Sequence, residues 1–234
     1  MSQITRAIVI AGGVGNRFSG HFIPKQFVEI EGKPVIAFTL QNVLQVPEIK
    51  EVVLVINKDY EQLYKDILKT YKLDGIRCIY GGLTRQQSIK SGIREAAGSD
   101  YVVVQNAVCP LTEPKLISEV LNQTISKNIS TSAYIDVIDT VVRQSDGVIG
   151  EYLHRDSLVK LQAPQAFPYA LVKECHEKAE KDGLLEVTND ANLLTHYGHP
   201  MQLVRGSFDN IKITTTEDWL LAKIILKGKV SFPK

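Results

Sequence analysis

The sequence predicts an α/β protein: a single Rossmann-like, mostly parallel sheet sandwiched by helices, with a protruding β-arm. Two observations carry this. Short Val/Ile-rich runs alternate with longer segments whose apolar residues recur at helical spacing, as strands joined by crossover helices do. Two glycine-rich loops also leave apolar runs at the same strand end, where sheets of this kind gather their ligands.

Taken in order, strands are expected at 7–10, 51–56, 76–80, 101–104, 131–137 and 201–204, each rich in Val, Ile or Tyr. Helices are expected between them at 35–46, 60–71, 85–97 and 114–127. Pro114 suits a first helical turn and Gly98 a helix end. From 138 to 162 the pattern changes. Two short apolar stretches flank Ser145-Asp-Gly147, a hairpin signal, and this segment reads as an arm beside the core. Helices follow at 169–181, 190–197 and 216–226, with Thr188 or Asn189 as an N-cap and Trp219 and Leu220 as core. No repeat or low-complexity linker interrupts the chain, so residues 1–234 read as one domain plus the 138–162 arm.

Composition narrows the function. The 234 residues are 44% hydrophobic and 23% charged, with 27 basic and 26 acidic side chains and a formal net charge of +1. So balanced a charge gives no long-range attraction to nucleic acid or an anionic membrane, and any cation that matters must act locally. No apolar run approaches the roughly 18 residues of a membrane span. The three cysteines, Cys78, Cys109 and Cys175, are widely spaced, which points to a reducing cytoplasm rather than a disulfide framework or zinc site. The five histidines share no metal-ligand spacing.

Four segments carry chemistry. The first is Ala11-Gly-Gly-Val-Gly-Asn-Arg17 with Pro24-Lys25-Gln26-Phe27. Its glycines let backbone amides approach phosphate oxygens, and Arg17 and Lys25 follow at a separation that folds over a triphosphate. A tight ligand-free turn has the same glycine content. The spacing matches neither a dinucleotide fingerprint nor a P-loop. The second, Gly81-Gly-Leu-Thr-Arg-Gln-Gln-Ser88, can admit a flat base with Ser88 on its edge, or simply start a helix capped by Thr84 with Arg85 solvated. The third, Val104-Gln-Asn-Ala-Val-Cys-Pro110, ends an apolar strand in polar residues. The fourth, Asp209-Asn-Ile-Lys-Ile-Thr214, reads as a short strand presenting Asn210, Lys212 and Thr214 on one face.

With these landmarks in this order, together with Asp139-Thr140 and the stretch from Arg155 to Pro164-Gln165, the chain resembles the cytidylyltransferase family of D-ribitol-5-phosphate cytidylyltransferase and 2-C-methyl-D-erythritol 4-phosphate cytidylyltransferase. The resemblance spans about residues 7–226. It implies a CTP-dependent homodimer in which one subunit's arm reaches the other. Ala11, Gly12, Gly13, Gly82, Arg85, Ser88, Asn106 and Ala107 are then nucleotide-binding, and Arg17, Lys25 and Lys212 are catalytic cations. Thr140, Arg155, Lys212 and Thr214 hold the acceptor phosphate, Thr140 and Arg155 across the dimer. Magnesium accompanies CTP, with Asn106 as a weak ligand.

The chain departs from that family at Gln105-Asn-Ala-Val-Cys-Pro110, where the usual motif reads His-Asp-Ala-x-Arg-Pro. Asn106 replaces a carboxylate and Cys109 an arginine, so a hard metal ligand and a bidentate clamp are both lost. This change, with the wording of residues 11–13, 23–27 and 137–142, leads to the expectation of CMP transfer to a ribitol-5-phosphate-like or other alditol phosphate for cell-surface polymers. The isoprenoid enzyme is the alternative, and a catalytically weakened nucleotide-binding homologue a second.

Overall fold

A computed structural model describes residues 3–13, 23–184 and 187–228. Arg17 lies outside the described residues.

Strand β1 (Thr5–Ile10) opens the chain, and the small ladder β2 (Glu29–Ile30) and β3 (Lys33–Pro34) leads into α1 (Val35–Leu44). Next come β4 (Ile49–Ile56), α2 (Glu61–Thr70), β5 (Ile76–Tyr80), α3 (Arg85–Glu95), β6 (Tyr101–Asn106), α4 (Pro114–Lys127) and β7 (Thr131–Asp136). The hairpin β8 (Val142–Ser145) and β9 (Val148–Tyr152) precedes β10 (Val159–Pro168) and α5 (Tyr169–Lys181). Helix α6 (Asp190–His196), β11 (Gln202–Arg205) and α7 (Thr216–Lys227) complete the fold.

Seven strands form one sheet in the order β11-β7-β10-β6-β1-β4-β5. All neighbours pair in parallel except at β10, which runs antiparallel to both β6 and β7. The order reverses at β1: β4 and β5 lie on one side and β6 on the other. A crevice therefore opens beyond the carboxyl ends of β1 and β6. Strand alternation divides the core between the two faces. Ala7, Val9 and Leu54 pack under α1, α2 and α4, whereas Ile8, Val53 and Val55 pack under α3, α5 and α6. Gly92 lets α3 approach β1 closely, since a Cβ there would come within 2.4 Å of Ile8 Cγ2.

Three expectations change. Residues 159–162, expected within the arm, already belong to β10 and pair with β7, so the hairpin strands occupy 142–152. The sequence hides β10 because Pro164 and Pro168 interrupt its pattern. Pro164 is tolerated where the register to β7 shifts between Gln162 and Gln165, and Pro168 at the strand's end. The segment at 209–214 is irregular rather than a strand, and Leu220 is half exposed rather than core. Among the described residues, no helix is long and apolar enough to cross a membrane.

Candidate active site

The glycine loop after β1 is held from below. Gln26 is 2% exposed, and its Nε2 donates to the carbonyls of Ala11 at 2.8 Å and Gly13 at 3.0 Å. Tyr64 Oη donates to the same Ala11 carbonyl at 2.7 Å; burial pushes its pKa up to about 12, so it stays a neutral donor. Phe27 packs edge-on against Tyr64 with ring centroids 4.7 Å apart. The element at 24–27 is thus bolted to the loop by buried contacts, with Lys25 carried on its 3-10 turn into the crevice. Gln26 is the connecting residue that sequence reasoning passed over. Its signal was a polar side chain between a positioned lysine and a core phenylalanine.

Amides in the loop divide by role. Ala11 N donates to Val55 O and Ala107 N to Ile10 O, so these two hold strand ends together. The amides of Gly12 and Gly13 have no protein acceptor among the described residues, and no atom lies within 4 Å of a Cβ built on Gly13. Facing them, the start of α3 is a complete capping box: Thr84 accepts from Gln87 N while Gln87 reaches back. Gly82 is required there, because a Cβ would meet Gln87 Cβ at 2.4 Å. Ser88 Oγ, 5% exposed as a residue, accepts from Gly82 N at 3.1 Å and donates to Thr84 O at 3.0 Å, so the hydroxyl shapes the loop.

Arg85 is only partly exposed, and it is paired. Its Nη2 lies 3.3 Å from Asp190 Oδ2, and His176 Nε2 lies 3.0 Å from Asp190 Oδ1. Asp190 is 1% exposed. Burial pushes its pKa up, but the His176 hydrogen bond and the Arg85 charge more than offset this and hold it below the ordinary value. This triad escaped sequence reading because Asn189, not Asp190, caps α6, leaving the aspartate to turn inward.

Lys212 arrives on the irregular 209–214 loop, fixed by two ties. Ile213 N donates to Val108 O at 2.9 Å. A buried polar chain runs from Gln105 Nε2 to Thr112 Oγ1 (2.8 Å), then from Thr112 Oγ1 to Asn210 Oδ1 (2.6 Å). Asn210 Nδ2 continues it to Ala163 O at 2.7 Å. Thr214 follows, with its hydroxyl donating to Lys212 O at 3.1 Å.

Two adjoining pockets result. The first, about 220 Å³, is lined by Ala11, Gly12, Gly13, Lys25, Gly82, Arg85, Ser88, Asn106, Ala107 and Lys212, which brings together every described residue expected to touch nucleotide. The second, about 600 Å³, shares Arg85, Asn106 and Lys212 with the first and adds Cys109, Gln162, Asn210 and Thr214. Cys109 is buried; desolvation pushes its thiol up to about 12, against the pull of Lys212 and Lys25, so it is neutral there. Thr140 and Arg155 stand apart from both pockets. Thr140 is exposed, and Arg155 Nη1 donates to Ile138 O at 3.0 Å beside a separate surface depression.

Magnesium finds little to bind. Among the described residues, the first pocket is lined by no carboxylate, and no group of three or more His, Cys, Asp or Glu is suited to a metal. Asn106 offers one amide oxygen. That donor set does not fit a protein-held magnesium, which favours carboxylate ligands.

A family model described as IspD, 2-C-methyl-D-erythritol 4-phosphate cytidylyltransferase, matches residues 5–228. The enzyme of that name from Clostridium novyi is 36% identical over 225 residues, covering 95% of this chain and 96% of its own length. That of Syntrophus aciditrophicus is 37% identical, covering 94% and 95%. The crystal structure of 4-diphosphocytidyl-2C-methyl-D-erythritol synthase from Anaerococcus prevotii superposes with a TM-score of 0.83 at 32% identity, covering 97% of this chain and all of that one. These findings overturn the expectation of an alditol phosphate acceptor for cell-surface polymers and favour the isoprenoid alternative. Of the residues that suggested otherwise, Ala11 is engaged through its backbone and residues 137–142 line neither pocket, whereas Asn106 and Cys109 do line the second. With a match along nearly its whole length and relatives above 30% identity, the chain belongs to the IspD family and is a CTP-dependent cytidylyltransferase.

Proposed function

We propose that the chain transfers CMP from CTP to 2-C-methyl-D-erythritol 4-phosphate and releases pyrophosphate, a step of isoprenoid synthesis. The observation that carries this reading is the pair of adjoining pockets at the carboxyl ends of β1 and β6, with Arg85, Asn106 and Lys212 at their seam. Such a seam is where an α-phosphorus and an attacking phosphate oxygen need to meet.

The acceptor phosphate is already an oxyanion at neutral pH, so the reaction needs no general base. It attacks the α-phosphorus in line, a P–O bond forms, and the bond to the β-phosphate breaks with pyrophosphate carrying away the electron pair. Catalysis is then positioning plus electrostatic stabilisation. In this reading the Gly12 and Gly13 amides and Lys25 hold the triphosphate, and Arg17 joins them. Lys212 faces the charge that develops between donor and acceptor. Because no carboxylate among the described residues lines the nucleotide pocket, magnesium would enter on the triphosphate as part of the substrate. Thr140 and Arg155, away from the pockets of their own chain, serve the site of a second subunit through the arm.

The test is pyrophosphate release from magnesium-CTP with 2-C-methyl-D-erythritol 4-phosphate, ribitol 5-phosphate and glycerol 3-phosphate in parallel. Turnover with the methylerythritol phosphate and little with the others is expected. Preferential turnover of an alditol phosphate overturns the acceptor, and CTP binding without turnover on any acceptor identifies a catalytically weakened homologue.

A further inference from the structure

The larger pocket contains a cation that the roles above do not use. Lys160 sits on β10 opposite Ile135 of β7, and both residues line this pocket. Among the described residues, three cationic side chains converge there: Arg85, Lys160 and Lys212. Two are already committed. Arg85 is drawn to the buried Asp190, and Lys212 also lines the nucleotide pocket. Lys160 lines the acceptor pocket alone, is exposed, and makes no hydrogen bond or ion pair among the described residues. Other basic residues on neighbouring strands differ in this respect: Arg205 on β11 pairs with Asp136, and Arg143 on β8 with Glu151.

Among the described residues, the pocket holds one carboxylate to oppose these charges, Asp218, and its Oδ2 is occupied by the amides of Thr214 (2.7 Å) and Thr215 (2.8 Å) at the start of α7. Cys109 adds no charge. The remaining polar lining is amides and hydroxyls, including Gln162, Thr188 and Asn189, groups that hydrogen-bond a polyol but do not neutralise a dianion. A phosphate monoester entering this concave surface meets a field focused by the lysines. An ammonium on a flexible stem suits it as a point charge.

We infer that Lys160 is an acceptor-binding residue whose ammonium receives the phosphate group of the sugar-alcohol phosphate, from the same chain that binds the nucleotide. This inference rests on the function proposed above. It assigns Lys160 to ground-state binding of one substrate, whereas Lys212 at the seam serves both substrates.

The experiment compares wild type, Lys160→Met and Lys160→Arg by initial rates of pyrophosphate release, varying 2-C-methyl-D-erythritol 4-phosphate at saturating magnesium-CTP and then the reverse. Losing one charge-assisted contact raises the acceptor KM ~10-fold or more in Lys160→Met. The CTP KM and the saturating rate stay within about twofold, and Lys160→Arg recovers most of the acceptor affinity. Because the side chain is exposed, the melting temperature serves as a folding control. An unchanged acceptor KM in Lys160→Met, or a parallel rise in the CTP KM, overturns the inference. Wild-type enzyme that is silent with this acceptor sinks the proposed function itself, and this assignment with it. An active wild type beside an indifferent Lys160→Met sinks the assignment alone.

Discussion

Lys25 and Lys212 reach one pocket from elements far apart in sequence, a 3-10 turn clamped by Gln26 and a loop clamped by Asn210. Each is held by buried hydrogen bonds to its neighbours in the chain, so the ammonium groups are delivered to fixed places at little entropic cost during the reaction. Removing either is expected to lower turnover ~10²-fold or more at saturating substrates, the usual consequence of losing one preorganised electrostatic donor. Pyrophosphate release by Lys25→Ala and Lys212→Ala checks this, and near-wild-type rates in both would refute the assignment. At this scale the sequence was informative about position, since proline before Lys25 and phenylalanine after it mark an anchored residue, and Lys25 sits on a 3-10 turn that lines the pocket. It gave no role to Gln26 or Asp190, because a buried polar side chain is defined by partners it meets only after folding.

At the scale of elements, the hairpin β8–β9 stands outside the seven-stranded sheet. It forms its own two-stranded ladder, and Val148, Ile149 and Tyr152 are largely exposed. Exposed apolar surface of this kind marks interaction sites in general. If Arg155 serves the neighbouring subunit's site, the variants Lys25→Ala and Arg155→Ala damage complementary parts of one composite site. Mixed and reassociated, the two inactive proteins are expected to regain activity that neither has alone; rates no better than the sum of the parents would place Arg155 outside any shared site. The hairpin was legible in advance from its Ser-Asp-Gly turn, and its extent was not. Residues 159–162 looked like arm because two prolines conceal β10, whose strand character comes from pairing on both sides with β6 and β7.

Across the whole molecule, the triad Arg85–Asp190–His176 ties three helices together beside the site, one residue each from α3, α6 and α5. Asp190 has a lowered pKa in the fold, so its ionised form stabilises the native state. That contribution is complete above the ordinary carboxylate value of about 3.9, and it is lost as pH falls below this toward the lowered native value. Asp190→Asn is therefore expected to be less stable at neutral pH by ~3 kcal/mol, the scale of breaking a buried ion pair on one side. Urea titrations at several pH values should show the gap from wild type closing in acid; a gap independent of pH would mean that Asp190 contributes by packing alone.

By itself the sequence determined the α/β class, the order of nearly all strands and helices, and most residues that line the first pocket, because these follow from local periodicity and from short motifs. Tertiary structure decided the rest: the antiparallel course of β10, the inward turn of Asp190, and the meeting of Lys25, Asn106 and Lys212. The physical reason is that alternation and spacing act over a few residues. Strand pairing and buried hydrogen bonds instead join positions up to about a hundred residues apart, as between Thr112 and Asn210, and exist only when the sheet has closed around them.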